Sequence, residues 1–207
     1  MSDHDGPNGE DDDGYLRRVY GIDDPREIRD YYDEWAGSYD AELIANGYAS
    51  PQRVAEALGS LTTDLTAPIL DYGCGTGLSG QCLVAAGFTA VDGADPARQM
   101  LDAAAAKSVY RNLVHLDLDE PVPPFEPKSY AAVAAVGLIG PGAAPLALFD
   151  QLLGLVSSGG LFGFSLNDHA MEDPAYPAAI RACVDDGRAR VVFDEHGPHL
   201  PGLDVSA

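Results

Sequence analysis

Lysine is nearly absent from this chain, and basic residues as a class are scarce. The sequence has 207 residues, with 12 Lys and Arg against 33 Asp and Glu, and its formal net charge at pH 7 is −21. The lysines are Lys107 and Lys128. A surface of this charge repels phosphate backbones and anionic lipid headgroups. We therefore expect neither nucleic acid nor a membrane as a partner.

Disulfide and metal-site patterns are also missing from the sequence. The three cysteines, Cys74, Cys82 and Cys183, form no C-x-x-C pair and no disulfide framework, and we expect no metal site. The sequence starts without a basic region followed by an apolar stretch, which is the pattern of a secretory signal. These features predict a cytoplasmic protein.

An uncharged run over residues 130–149 is comparable in length to a membrane span. A spanning helix needs about 20 consecutive, mainly apolar residues. This run, however, is rich in Ala and Gly, and Pro141 and Pro145 interrupt it. We interpret it as a buried strand, a loop and the start of a helix.

The first part of the chain divides into an acidic tail and a helical region. Residues 1–14 carry six acidic side chains and no Lys or Arg, a composition that predicts a disordered tail. Residues 15–62 are predicted to form a helical lid. Asp24 followed by Pro25 is a typical helix start, and apolar positions continue at helical intervals as far as Tyr39. A second lid helix is predicted in "SPQRVAEALGSL", with its first serine as the cap.

Residues 63–207 alternate between short apolar strands and helices. The predicted strands lie in "PILDYG", "FTAVDGAD", "NLVHLD", "YAAVAAVG" and "GLFGFSLN", with helical segments between most of them. Such alternation indicates an α/β fold with a doubly wound, mostly parallel, Rossmann-like sheet that forms one structural domain with the lid. Ligands of this fold bind at the carboxyl ends of the strands. A helix in "DPAYPAAIRACVDDG" and a further strand in "RARVVFDEHGPH" complete the prediction.

The loop "DYGCGTG" fits two ligand-binding patterns. Gly75, Gly77 and Gly80 match G-x-G-x-x-G, the dinucleotide fingerprint, and Asp95 lies twenty residues after Gly75, where a ribose-binding acid belongs. The second pattern is acid-x-Gly-x-Gly-x-Gly, which begins at Asp71. A carboxylate before the first glycine is a poor neighbour for a pyrophosphate, because like charges repel. It suits a ligand that carries an ammonium and a sulfonium.

In order and spacing, "DYGCGTG", "DGADPARQML", "HLDLDEPVP" and "LVSSGGLFGFSL" resemble the motifs of class I S-adenosylmethionine-dependent methyltransferases. The segments "YYDEWAGSYDAELIANGYASP" and "KSVYRNLVHLDL" are similar to the Williams–Beuren-region methyltransferase-like subgroup. The resemblance covers about residues 30–200. It implies the class I methyltransferase fold and S-adenosylmethionine (SAM) as the cofactor, with S-adenosylhomocysteine (SAH) as its product.

The resemblance also assigns roles to individual residues. The loop glycines would line the methionine half of SAM, and Asp71 would hold either the loop or the cofactor ammonium. Asp95 would accept hydrogen bonds from the ribose hydroxyls, unless it serves only as a helix cap. The remaining implied cofactor contacts are Gly73, Gly75 and Gly77 in the loop, Met100, Leu116, Asp117 and Leu118 around the adenine, Val136 and Gly137 beside the transferring methyl, and Trp35 and Tyr39 from the lid.

Several positions depart from the family pattern. Ala131 stands where the fourth strand usually begins with Asp, and the loop "GLIGPGAAP" lacks the histidine expected in the subgroup. The Asn/Asp-Pro-Pro-aromatic motif of amino-directed nucleic-acid methylases is absent. The fold usually closes with a hairpin whose last strand inserts into the sheet, and this sequence is expected to reach only the start of that strand.

These observations predict a SAM-dependent methyltransferase with a small-molecule acceptor, either monomeric or homodimeric. Two alternatives stay open, an NAD(P)-dependent oxidoreductase and a SAM-binding protein without catalysis. His115 and His169 are candidate bases, but methyl transfer from a sulfonium mainly requires alignment of the reacting atoms. For that reason the sequence identifies no catalytic residue.

Overall fold

The computed structural model describes residues 15–18, 22, 24–118, 124–140, 144 and 146–207. The predicted acidic tail, residues 1–14, lies outside these ranges. Within them the helices are α1 (Tyr15–Arg18), α2 (Pro25–Trp35), α3 (Tyr39–Ala45), α4 (Ser50–Leu61), α5 (Leu78–Ala85), α6 (Arg98–Lys107), α7 (Ala147–Leu155), α8 (Asp168–Glu172) and α9 (Ala175–Asp185). The strands are β1 (Ile69–Tyr72), β2 (Val91–Asp95), β3 (Asn112–His115), β4 (Tyr130–Ala135), β5 (Val156–Phe164), β6 (Pro198–Leu200) and β7 (Val205–Ser206).

Five of these strands form one parallel sheet in the order β3-β2-β1-β4-β5. The chain therefore moves outward from β1 to β3 and then returns to the other side of β1 with β4. In open α/β sheets, ligands bind in the crevice at such a reversal, beyond the carboxyl ends of the strands. The prediction of a doubly wound, mostly parallel sheet is confirmed, and it places the expected site after β1 and β4.

Two apolar clusters attach helices to the sheet. One contains Leu58 of α4 and Leu83 of α5 together with Ile69 of β1. The other contains Phe149 and Leu152 of α7 with residues of β1, β4, α8 and α9. The central strands are buried along their length, because helices supply an apolar partner on both sides.

The lid begins as the sequence predicts but is divided differently. Asp24 caps α2, with its Oδ1 accepting hydrogen bonds from the backbone N–H groups of Arg26 (2.8 Å) and Glu27 (3.2 Å). The helical pattern does not run unbroken to Tyr39, because α2 ends at Trp35 and α3 starts at Tyr39.

Ser50 is not the cap of the second predicted lid helix, and that prediction is wrong. Ala49 occupies the N-cap position of α4, without a side-chain hydrogen bond to the helix. Ser50 lies inside the first turn, and its hydroxyl pairs instead with Nδ1 of His199 at 2.7 Å. A buried partner far along the chain has replaced the local capping bond.

The predicted strand in "RARVVFDEHGPH" is also largely absent. Residues 189–197 have no regular secondary structure, and Val191, Val192 and Phe193 are exposed. A run of residues with high β propensity forms a strand only when it can pair with a neighbouring strand. Here β6 begins only at Pro198, and it pairs antiparallel with β7 in a separate two-stranded sheet.

No helix in the described ranges combines the length and apolar character that crossing a membrane requires. The uncharged run from residue 130 supplies β4 and, beyond residues left undescribed, the start of α7. This agrees with its interpretation as strand, loop and helix.

Candidate functional site

A cleft lies where the fold predicts a ligand, between the loop after β1, the end of β4 and the lid. Its empty volume is about 260 Å³, including the part open to solvent. Three groups of residues line it: the loop and the start of α5, the residue after β4, and the α3–α4 part of the lid. The lining residues are Tyr39, Tyr48, Pro51, Gly73, Cys74, Gly75, Thr76, Leu78, Ser79 and Val136.

Within the glycine loop, Gly75 is the position most open to a ligand. Its φ is +52°, a conformation that favours glycine, and a β-carbon there would meet no atom within 4 Å. At Gly73, by contrast, a β-carbon would stand 2.6 Å from a methyl group of Leu138. The backbone at Gly75 can therefore approach a bound molecule closely, while Gly73 allows packing within the protein.

Tyr110 lies beneath the loop and explains the third glycine of the dinucleotide pattern. A β-carbon on Gly80 would overlap the hydroxyl end of the Tyr110 ring. This hydroxyl donates a hydrogen bond to Asp71 Oδ2 at 2.7 Å, and Ser79 donates to the same oxygen at 2.7 Å. Gly80 thus makes room for the side chain that holds Asp71.

Asp71 is fully buried behind the loop and is not among the lining residues of the cleft. Its Oδ1 has no hydrogen-bond partner in the described part of the chain. Burial raises the pKa of Asp71 to about 6, against the opposing effect of the bonds from Ser79 and Tyr110. The resemblance implies that Asp71 holds either the loop or the cofactor ammonium, and its buried position behind the loop favours the first of these roles.

Asp95 ends β2 and connects it to the loop. Its Oδ2 accepts a hydrogen bond from the backbone N–H of Gly75 at 2.9 Å, and its Oδ1 accepts one from that of Ala97 at 2.8 Å. Each carboxylate oxygen keeps a lone pair for a further donor. Burial raises the pKa of Asp95 to about 6, against the two backbone hydrogen bonds, and the carboxylates of Asp71 and Asp33 raise it further.

The electrostatic character of the cleft is acidic. None of its lining residues is basic, and the carboxylates of Asp71 and Asp95 lie just behind it. Lys107 comes near, but its Nζ is 2.7 Å from both Asp40 Oδ2 and the carbonyl oxygen of Thr76. Such an environment disfavours the pyrophosphate of a dinucleotide and favours a ligand with cationic groups.

The lid is bonded directly to the core around this cleft. Asp40 of α3 accepts hydrogen bonds from the Thr76 hydroxyl of the glycine loop and from Lys107 of α6. Asp33 of α2 accepts one from the backbone N–H of Gln99, in the first turn of α6, at 2.8 Å. These contacts hold α2 and α3 against α6 and the loop after β1.

The other predicted site residues lie at different depths. Tyr39 and Val136 line the cleft, whereas Trp35 is buried one layer behind, with its ring centroid 4.6 Å from that of Tyr39. Met100 is buried in α6, and Asp117 is exposed just after β3. Four further predicted residues complete the set: Gly77 packs against Tyr110, Leu116 is buried and Leu118 exposed after β3, and Gly137 follows Val136 at the end of β4.

Sequence reasoning missed two tyrosines at this site, Tyr48 in the cleft wall and Tyr110 beneath the loop. Both lie inside the segments that resemble the methyltransferase-like subgroup, but no helical or strand periodicity includes them, and neither receives a role from the sequence alone. Of the candidate bases, His115 lies in β3, and His169 is exposed in α8. Neither is a lining residue of the cleft.

The sequence of this chain is similar to those of known methyltransferases. Residues 69–160 match a family model described as a methyltransferase domain. Human methyltransferase-like protein 27 is 30% identical over 175 residues, which make up 82% of this chain and 69% of that protein.

Solved structures show a similar fold. The DhpI–SAM–HEP complex has a TM-score of 0.53 and 19% sequence identity, covering 84% of this chain and 75% of that one. The DhpI–SAH complex has the same TM-score and 20% identity, covering 67% of each chain. A putative methyltransferase solved with the Trm112 methyltransferase activator of Haloferax volcanii has a TM-score of 0.52 and 21% identity. The match covers 64% of this chain and 58% of that one, less than two thirds of its length.

Proposed function

This chain belongs to the class I SAM-dependent methyltransferases, and from that premise we propose that it transfers the methyl group of SAM to a small-molecule acceptor bound under the lid. The cofactor is SAM and the product derived from it is SAH. When bound, SAM supplies a methyl group on a sulfonium, so that an acceptor atom can take the methyl while the carbon–sulfur electron pair returns to sulfur.

The observation that carries this proposal is the acidic cradle around Gly75. The open backbone at Gly75 and the fixed carboxylate of Asp95 fit the methionine and ribose parts of SAM. The absence of basic lining residues fits a cationic cofactor better than a dinucleotide. An oxidoreductase is therefore not favoured.

The proposal of a small-molecule acceptor is supported by the lid side chains that line the cleft. The lid residues Tyr39, Tyr48 and Pro51 form one wall of it, opposite the glycine loop. A methyl acceptor must place one atom in line with the carbon–sulfur bond and exclude water. Lid side chains along the cleft would help to enclose a small acceptor once it is bound.

We also propose that residues 15–62 act as the lid of this enzyme and that it works in the cytoplasm. The bonds of Asp33 and Asp40 to α6 and the glycine loop support the lid. Cys74, Cys82 and Cys183 are all free thiols, which suits a reducing compartment. The motif Tyr-Asp-x-Trp-Ala-x-x-Tyr-Asp that starts at Tyr32 supports membership of the Williams–Beuren-region methyltransferase-like subgroup.

A thermal-shift comparison tests the cofactor, with SAM, SAH, NADH and NADPH added at equal concentration. A ligand present at about 100 times its dissociation constant stabilises the folded state by about 2.7 kcal/mol, a shift of several degrees. We expect SAM and SAH to raise the unfolding temperature and the nicotinamides to leave it unchanged. A shift with the nicotinamides alone would contradict the proposal.

A methyl-transfer assay tests whether the acceptor is a small molecule or a macromolecule. The protein is incubated with methyl-labelled SAM and either the low-mass or the macromolecular fraction of a cell extract. We expect labelled product and SAH with the low-mass fraction only. Label that appears only in macromolecules would contradict a small-molecule acceptor, and binding of SAM without any SAH formed would indicate a non-catalytic protein.

The affinity for SAM should fall in mild acid. Asp71 and Asp95 both have a pKa of about 6 in the free protein, and the cationic cofactor favours their ionised forms. One pH unit below its pKa, only about a tenth of an acid is ionised. If binding requires the ionised form, the affinity therefore falls about tenfold. We therefore expect the dissociation constant to rise at least about tenfold from pH 7 to pH 5. Isothermal titration calorimetry in buffers of different ionisation enthalpy should detect proton release on binding near pH 6.

Without a ligand, the stability of the fold depends on pH in the opposite direction to the affinity for SAM. Because the folded state raises the pKa of these acids, their contribution to the free energy of unfolding falls as pH rises from about 4 through about 6. Equal SAM affinity at pH 5 and pH 7 would show that both carboxylates are already ionised in the free protein.

A further inference from the structure

The cleft has two chemically different ends, set by the strand order. Asp95 marks the end of β2, the glycine loop follows β1, and Val136 and Gly137 follow β4. Because β1 lies between β2 and β4, a ligand that starts at Asp95 and crosses the glycine loop must direct its far end toward β4. If the proposed function holds, this is the side on which the methyl acceptor approaches.

Tyr48 stands at the β4 end of the cleft. Its side chain is half-buried and belongs to the cleft wall. A β-carbon on Gly137 would overlap the Tyr48 hydroxyl, so the hydroxyl lies directly against the backbone that follows β4. That backbone is itself held in place, because the N–H of Gly137 donates to the Ser165 hydroxyl at 2.9 Å.

His199 holds Tyr48 in this position. The two rings meet edge to face, with their centroids 5.2 Å apart and an interplanar angle of 84°. His199 is 4% exposed, and its Nδ1 pairs with the Ser50 hydroxyl. Its carbonyl oxygen also accepts a hydrogen bond from the backbone N–H of Ala49 at 2.9 Å. The two residues that follow Tyr48 are thus fixed by β6, a strand from the other end of the sequence.

The chemistry of a tyrosine hydroxyl suits this place. It both donates and accepts a hydrogen bond, so it can orient a hydroxyl, amine or carboxylate acceptor. The cleft-lining residues include no histidine, lysine or carboxylate, which leaves Tyr48, Tyr39, Thr76 and Ser79 as the polar side chains along it, together with the weakly polar thiol of Cys74.

We propose that the Tyr48 hydroxyl lies at the methyl-donating end of bound SAM and hydrogen-bonds the acceptor atom that receives the methyl group, with His199 as the positioning residue behind it. This inference rests on the proposed function and specifies its acceptor side. In the transfer, a lone pair of the acceptor atom forms the new bond to carbon, the carbon–sulfur pair returns to sulfur, and the proton of a hydroxyl or amine acceptor passes to solvent. Tyr48 orients the acceptor atom and keeps its own proton.

The test uses two analogues of the cofactor and needs no acceptor. Sinefungin carries an ammonium group near the position of the methyl of SAM, whereas SAH carries nothing there. Titration calorimetry gives both dissociation constants for the wild type and for Tyr48→Phe, a change that keeps the ring against His199. We expect the variant to bind sinefungin about tenfold more weakly and SAH within about twofold of wild type, because a hydrogen bond to a charged group is lost only with sinefungin.

Tyr31→Phe is the matched control. This lid tyrosine donates its hydroxyl to the carbonyl oxygen of Tyr15 and is not a cleft-lining residue, so the ratio of the two affinities should stay at the wild-type value. An unchanged ratio in Tyr48→Phe, with SAH still bound, would overturn this inference alone. Failure of the wild type to bind SAH would overturn the proposed function, and this inference with it.

A double-mutant cycle tests the role of His199. In the wild-type background, we expect His199→Ala to lower the affinity for sinefungin relative to that for SAH. In the Tyr48→Phe background, it should have no further effect on this ratio of affinities, because both changes remove the same contact. A loss of overall stability moves both affinities and leaves their ratio unchanged. Additive effects on the ratio would show that His199 does not act through Tyr48.

Discussion

Replacing Asp95 by alanine should weaken SAM binding by about 1.5–3 kcal/mol, or about 10- to 150-fold. We propose that this carboxylate, at the end of β2, accepts hydrogen bonds from the ribose hydroxyls, and it also fixes the loop through the N–H of Gly75. Alanine removes both functions at once. Titration calorimetry with SAM and SAH measures the change directly.

Asp102→Ala provides the control for charge. Asp102 is an exposed acid of α6, so its removal changes the net charge by the same amount without touching the cleft. We expect its SAM affinity to stay within about twofold of wild type, because exposed charges at a distance are screened by salt. Wild-type affinity in Asp95→Ala would leave Asp95 with only a structural role, as the acceptor for the backbone N–H groups of Gly75 and Ala97.

The second large effect is expected at Gly80, where alanine should destabilise the fold by about 1–3 kcal/mol. The added methyl group would overlap the Tyr110 ring, which is wedged between α5 and the sheet and also packs close to Gly93. Moving that ring breaks its hydrogen bond to the buried Asp71. For a domain of this size the unfolding temperature should fall by about 2–4 °C for each kcal/mol.

Gly154→Ala is the matched substitution, because Gly154 is also a helical glycine. It lies in α7, is exposed, and a β-carbon there would meet no atom within 4 Å. Alanine should be neutral or stabilise the fold by up to about 1 kcal/mol, since it restricts the unfolded chain. If Gly80→Ala behaved like this control, Tyr110 would not be the reason for that glycine, and the dinucleotide pattern would again need an explanation.

Local patterns predicted the elements of the core well. The apolar runs around Ile69, Val91 and Tyr130 became central strands, because a parallel sheet buries both faces of a strand and so requires continuous apolar residues. Asp24 capped its helix as expected, since a cap involves only backbone groups two or three residues away. The same local rule failed for Ser50, because its hydroxyl bonds instead to His199, a distant residue that no local pattern reveals.

By itself the sequence determined the α/β fold, the position of the glycine loop and the class of cofactor, because each depends on residues that are neighbours in the chain. Only the tertiary structure decided what surrounds that loop. Tyr110 reaches Asp71 across 39 positions, Lys107 reaches Asp40 across 67, and His199 reaches Ser50 across 149. Contacts over such separations leave no periodic signal, since either partner can sit in an ordinary loop or helix until the sheet brings the two together.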